Sequence, residues 1–86
     1  MNGGDVVTVG EATQRRIDEL CQARKITTNK LATISGITQS TLHNIVGGRN
    51  HSVTLSTIKK ICDGLNISII DFFNSDLFNN LEQEIK

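Results

Sequence analysis

Apolar residues recur along this chain at three- and four-residue spacings, and a hydroxyl-bearing residue stands just ahead of each run. Thr8-Val9-Gly10-Glu11 has the form of a capping box, and Ile17, Leu20 and Cys21 follow at helical spacing, which predicts a helix from about Val9 to Arg24. Thr27 can cap a short second helix carrying Leu31, Ala32 and Ile34, with Gly36 placed to end it in a left-handed conformation. Thr38 caps a third, whose inward residues are Leu42, Ile45 and Val46, with Gly47-Gly48 beyond it. After a polar loop over residues 49–53, Thr54 caps a fourth helix with Leu55, Ile58, Ile61, Cys62 and Leu65 inward, and Asn66 can supply its left-handed end. Ser68 with Asp71 starts a fifth, with Ile69, Phe72 and Phe73 facing the core, and Ser75 caps a last helix bearing Leu77, Phe78, Leu81 and Ile85 on one side. The chain has no proline, and only Val6-Val7-Thr8-Val9 has strand composition. The expectation is all-α: an N-terminal arm over residues 1–8, a five-helix domain over 9–74 and a helical tail over 75–86.

The third helix has an unusual polar face. Thr38, Gln39, Ser40, Thr41, His43 and Asn44 are all uncharged hydrogen-bonding residues, although Glu and Lys would serve an exposed helical face with better propensity. Two short helices meeting at a Gly-containing turn, with small Ala32 near the crossing, make a helix-turn-helix. In such a unit neutral donors and acceptors on the second helix suit base edges in the major groove. Amides of Gln and Asn match adenine N6 and N7, and Ser or Thr can serve several bases.

Charge refines this picture. The net charge is zero, but residues 11–62 hold eight basic and three acidic side chains while residues 63–86 hold five acids and one lysine. The first two thirds can meet an anion and the tail would avoid one. Length allows one domain with a single modest core. No run is long and apolar enough to span a membrane, and the N-terminal stretch lacks the basic start of a signal peptide, so a cytoplasmic location is the default. Cys21 and Cys62 lie in apolar stripes and read as buried reduced thiols. Neither a metal-ligand cluster nor a catalytic nucleophile, base and oxyanion set is legible, so no cofactor and no enzymatic activity are expected. Arg15, Arg16, Lys59 and Lys60 read as solubilising charges, though Lys59 or Lys60 can approach a phosphate.

Residues 17–73, with the runs RIDEL, ITTNKLATISGITQSTLHNIVGGR, LSTIKKICDGLNIS and IIDFF, resemble the Cro/repressor (XRE-type) helix-turn-helix family. The features in register are Leu31-Ala32, Gly36, Thr38-Gln39-Ser40, Leu42 with Ile45, and Gly48-Arg49. The resemblance implies a five-helix lambda-repressor-like DNA-binding domain, here with a short additional C-terminal helix. It assigns base-reading positions to Gln39, Ser40 and Asn44, with His43 and Thr41 at the margin, and phosphate-facing positions to Thr28, Thr38, Arg49 and Asn50. The chain departs from the pattern in three places. Cys21 and Val46 stand where many members carry an Arg–Glu ion pair, Gly47-Gly48 replaces Asn-Gly, and the loop to the fourth helix lacks the frequent Pro and is one residue longer.

Two function classes follow. One is a transcriptional repressor that binds double-stranded operator DNA as a homodimer, with recognition helices about 34 Å apart. The other is an antitoxin or adaptor of the same fold, with a protein partner on Leu77, Phe78, Leu81 and Ile85. Such a stripe is more often packed against its own domain than used as a dimer contact, and pairing of residues 6–9 across a two-fold is the lesser route to a dimer.

Overall fold

The computed structural model describes residues 6–48 and 53–85. Its order is α1 (Val9–Arg24), α2 (Thr28–Ser35), α3 (Gln39–Val46), α4 (Leu55–Leu65), α5 (Ile69–Phe73) and a 3-10 turn (Asp76–Phe78). Every one of these elements starts on a hydroxyl. Thr8, Thr27, Thr38, Thr54 and Ser68 each accept a backbone N–H from three residues further on at 3.0–3.1 Å, and Ser75 accepts that of Leu77 at 3.3 Å. Each such cap is worth about 1 kcal/mol. At Ser68 the box is complete, because Asp71 also accepts the Ser68 N–H. At Thr8 the expected reciprocal bond gives way to an ion pair, with Glu11 bound to Arg15 at 2.6 Å.

Three helices end alike. Lys25, Gly36 and Asn66 take left-handed conformations, and the next residue, always isoleucine, sends its N–H back to the carbonyl of Cys21, Ala32 or Cys62 at 2.9–3.1 Å. This is the Schellman closure. Ile26, Ile37 and Ile67 then rest against the core, and the residue after each is the next helix's hydroxyl cap. Gly36 and Asn66 do what their sequence context predicts, whereas Lys25 at φ 56° has no turn-forming signature.

The core consists of Ile17, Cys21, Leu31, Ala32, Leu42, Ile45, Ile58, Ile61, Cys62, Leu65 and Phe72. Burial pushes both thiols up from their ordinary range, with nearby Asp18 adding to the effect at Cys21, so the cysteines act as small apolar fillers. Val46 is half-buried against this core, so both Cys21 and Val46 contribute apolar packing to it. Leu55 is 67% exposed, against expectation. It is the first residue of α4 and lines the rim of a shallow groove with Val9, Val53 and Phe73; periodicity gives a residue's face but not its depth at a helix end. Ile69, first in α5, is likewise on the surface.

α2 packs chiefly on α4, and Gly64 lets them approach. A Cβ there would lie 2.6 Å from the buried Ser35 Oγ and 2.9 Å from the Ile34 carbonyl oxygen. Two arginines tie distant ends together. Arg16 donates to the Phe72 and Asp71 carbonyls at 2.7 and 2.8 Å while pairing with Glu19, and Arg24 donates to the Leu65 carbonyl at 2.7 Å. Arg16 is therefore a clamp on the end of α5 rather than a solubilising charge, which no local pattern reveals. Lys59 pairs with Asp63 on its own helix.

The tail departs from the expected helix. After the 3-10 turn the described chain bends and forms no further helix, with Val7 and Leu81 in a parallel bridge and the Glu82 N–H bonded to the Val7 carbonyl at 2.8 Å. Phe78 meets Phe73 and Phe72 at ring-centroid distances of 4.9 and 6.3 Å, and Ile85 is 88% exposed. Leu77, Phe78, Leu81 and Ile85 thus share no helical side. Asn79-Asn80 favours a turn over a helix interior, and the aromatic contact holds Phe78 inward.

Gly64→Ala is expected to lower stability by about 1–3 kcal/mol through overpacking at the α2–α4 crossing, measured by urea denaturation. Ser35→Ala removes a buried hydroxyl that has no hydrogen-bond partner among the described residues, and should leave the midpoint unchanged or raise it. Arg16→Met should cost about 1.5–3 kcal/mol, because two carbonyls at the end of α5 lose a charged donor.

Candidate nucleic-acid interface

The turn between α2 and α3 fixes which side of α3 is free. Leu42 and Ile45 are buried under α1 and α2, so the residues on the opposite side of an eight-residue helix turn outward. Gln39 and His43 form one row at i and i+4, and Ser40 and Asn44 form the next. Gln39, Ser40 and His43 are exposed, and Asn44 is half-buried. The structure therefore brings four of the five expected base-reading residues onto one outward face, with Thr41 at its edge.

The hydroxyls have other duties. Thr38 accepts the Thr41 N–H at 3.1 Å and donates to Thr41 Oγ1 at 2.8 Å, so both threonines are spent on the start of α3. Thr28 is the first residue of α2 and is half-buried beside amides that the helix itself leaves unbonded. His43 is held from α2, its Nε2 lying 2.9 Å from Asn29 Oδ1. Sequence reasoning missed Asn29. The available signal was an amide near the start of a helix where Glu has better propensity, which is weak. Arg49 and Asn50 lie outside the described residues, as do residues 1–5 of the arm.

The electrostatics follow the same division. No acid occurs from Leu20 to Cys62, a run of 43 residues that contains α2, the turn, α3 and the loop after it. The same run carries Arg24, Lys25, Lys30, Arg49, Lys59 and Lys60. The exposed residues of α2 and α3 themselves include no carboxylate to repel an approaching polyanion.

The sequence model of the Cro/C1-type HTH DNA-binding domain matches residues 16–75, which run from within α1 to just past α5. The chain belongs to this family. Its place there makes it a DNA-binding protein of the transcription-regulator class, with DNA as its partner. It is similar to the crystal structure of the prophage Lp1 protein 11, with 37% identity and a TM-score of 0.73 over 81% of this chain and 92% of that one. Among curated proteins none matches the sequence significantly. Among the described residues no helix is long and apolar enough to cross a membrane.

Thr38→Ala is expected to cost about 1 kcal/mol of stability in thermal unfolding, and Thr38→Ser or Thr38→Asn to recover most of it, since any short acceptor can cap α3.

Proposed function

We propose that the protein is a sequence-specific repressor that lays α3 in the major groove of operator DNA and acts as a homodimer on a pseudo-palindromic site. One observation carries this reading: α3 turns an uncharged hydrogen-bonding face outward from an acid-free part of the chain. Gln39, Ser40 and Asn44 are the base readers, with His43 and Thr41 beside them. Thr28, Thr38, Arg49 and Asn50 face phosphates. The Thr38 hydroxyl is engaged in capping, so its phosphate contact falls to the amides that open α3.

Exposed Leu55 and Ile70, at 67% and 80%, favour a second reading in which a protein partner is the main one, as for an antitoxin or adaptor. Leu77, Phe78 and Leu81 are half-buried in their own domain and supply less of such a surface than the sequence suggests. Copurification with a stoichiometric small protein would favour this reading.

The test is a selection of bound sequences from a random DNA pool, followed by substitution. Gln39→Ala and Asn44→Ala should each cost about 1–3 kcal/mol at a half-site and relax preference at one base pair, with little effect on random DNA. Arg49→Ala should weaken specific and random DNA alike and reduce the slope of log affinity against log salt by roughly 1. If both amide variants bind the selected site like the wild type, α3 is not the reading helix.

A further inference from the structure

The contact between Asn29 and His43 joins the second residue of α2 to the middle of α3 across the turn, and neither end of it is explained by capping or by the core. Nε2 lies 2.9 Å from the Asn29 carboxamide oxygen, which only accepts hydrogen bonds, so this pairing requires the Nε2–H tautomer. In the neutral ring Nδ1 is then a bare acceptor. His43 is exposed on the outward face of α3, one helical turn from Gln39 and next to Asn44. Amides on this face both donate and accept, so they select a base by pairing with two atoms of its edge. A histidine locked as an acceptor selects with a single hydrogen bond.

We infer that Asn29 is a positioning residue that fixes the His43 tautomer, making His43 a selective reader of exocyclic amino groups in the major groove, those of adenine N6 or cytosine N4. This rests on α3 being the reading helix. The major-groove edges of guanine and thymine present acceptors at the corresponding positions, so a fixed Nδ1 acceptor rejects them. Free imidazole could meet either class by exchanging tautomers. The bond to Asn29 removes that choice before DNA arrives, and does so from a helix that need not touch the base.

The experiment has two arms. In free, full-length protein labelled with ¹⁵N, long-range proton–nitrogen correlation at alkaline pH, where imidazoles are neutral, reports the tautomer of His43; His43→Gln identifies its signals against those of His51. The expected result is the Nε2–H form in the wild type, a mixture in Asn29→Leu, and return of the Nε2–H form in Asn29→Asp, which restores an acceptor. A merely structural role would not move the tautomer. In the second arm, sequence selection with wild type, Asn29→Leu and His43→Ala should show preference for an amino-bearing base falling about fivefold at one and the same base pair, the worth of one neutral hydrogen bond. Binding of Asn29→Leu to random DNA should be unchanged.

An Nδ1–H tautomer in the wild type, meaning that the Asn29 amide donates instead, overturns the inference. So does an unaltered base preference in Asn29→Leu when Gln39→Ala weakens operator binding in the same assay. If Gln39→Ala and Asn44→Ala also leave binding unchanged, the reading of α3 itself fails, and the two failures are thereby told apart.

Discussion

The domain depends on one repeated three-residue connection. Lys25-Ile26-Thr27, Gly36-Ile37-Thr38 and Asn66-Ile67-Ser68 each close one helix with a left-handed residue, sink an isoleucine into the core and open the next helix with a hydroxyl. Helices of eight and five residues are far too short to persist alone in water. Here the backbone groups most costly to leave unpaired are bonded within the connection, and the isoleucine prevents the joint from swinging. The angle between α2 and α3 is then a property of residues 36–38 and of Ala32 and Leu42 beneath them, not of a flexible loop.

From that joint follows the chemistry left on the surface. Hydroxyls near helix starts are consumed by capping: Thr27, Thr38, Thr41, Thr54 and Thr57 are each engaged at a helix start. What remains outward on α3 is two amides, a serine and an imidazole, two of them on each helical row. The same economy separates the charges. Apart from Asp5, carboxylates are confined to α1 and to the chain after Cys62, where Glu11, Glu19 and Asp63 are paired with Arg15, Arg16 and Lys59. The helix-turn-helix is left acid-free.

Long-range ties hold this arrangement at its margins. Arg16 and Arg24 hand guanidinium protons to carbonyls at the ends of α5 and α4, where the helix dipole favours a cation. Gly64 allows α4 to sit close under α2, and so supports the recognition unit from behind. Phe72, Phe73 and Phe78 form an edge-on aromatic cluster that closes the far end, and the pairing of residue 7 with residue 81 brings the arm and the tail together.

What could be read from the sequence is what acts over four residues or fewer. The caps, the apolar phases, the ends at Gly36 and Asn66 and the outward set on α3 all rest on bonds between near neighbours, so the residue types betray them. Lys25 escaped because its left-handed conformation is imposed by Ile26 being held in the core rather than by its own preference. The tertiary structure alone decided the rest. Arg16 reaches a carbonyl 56 residues away and Arg24 one 41 away, Asn29 finds His43 across 14 residues, and Gly64 is tight only because α2 lies over it. No local pattern encodes such partners, since they depend on how the helices stack. The tail shows the boundary most directly: its apolar spacing was helical, yet Phe78 turned to two other rings and Leu81 to residue 7, because contacts made across the fold outweigh the weak helical preference of a short segment rich in Asn.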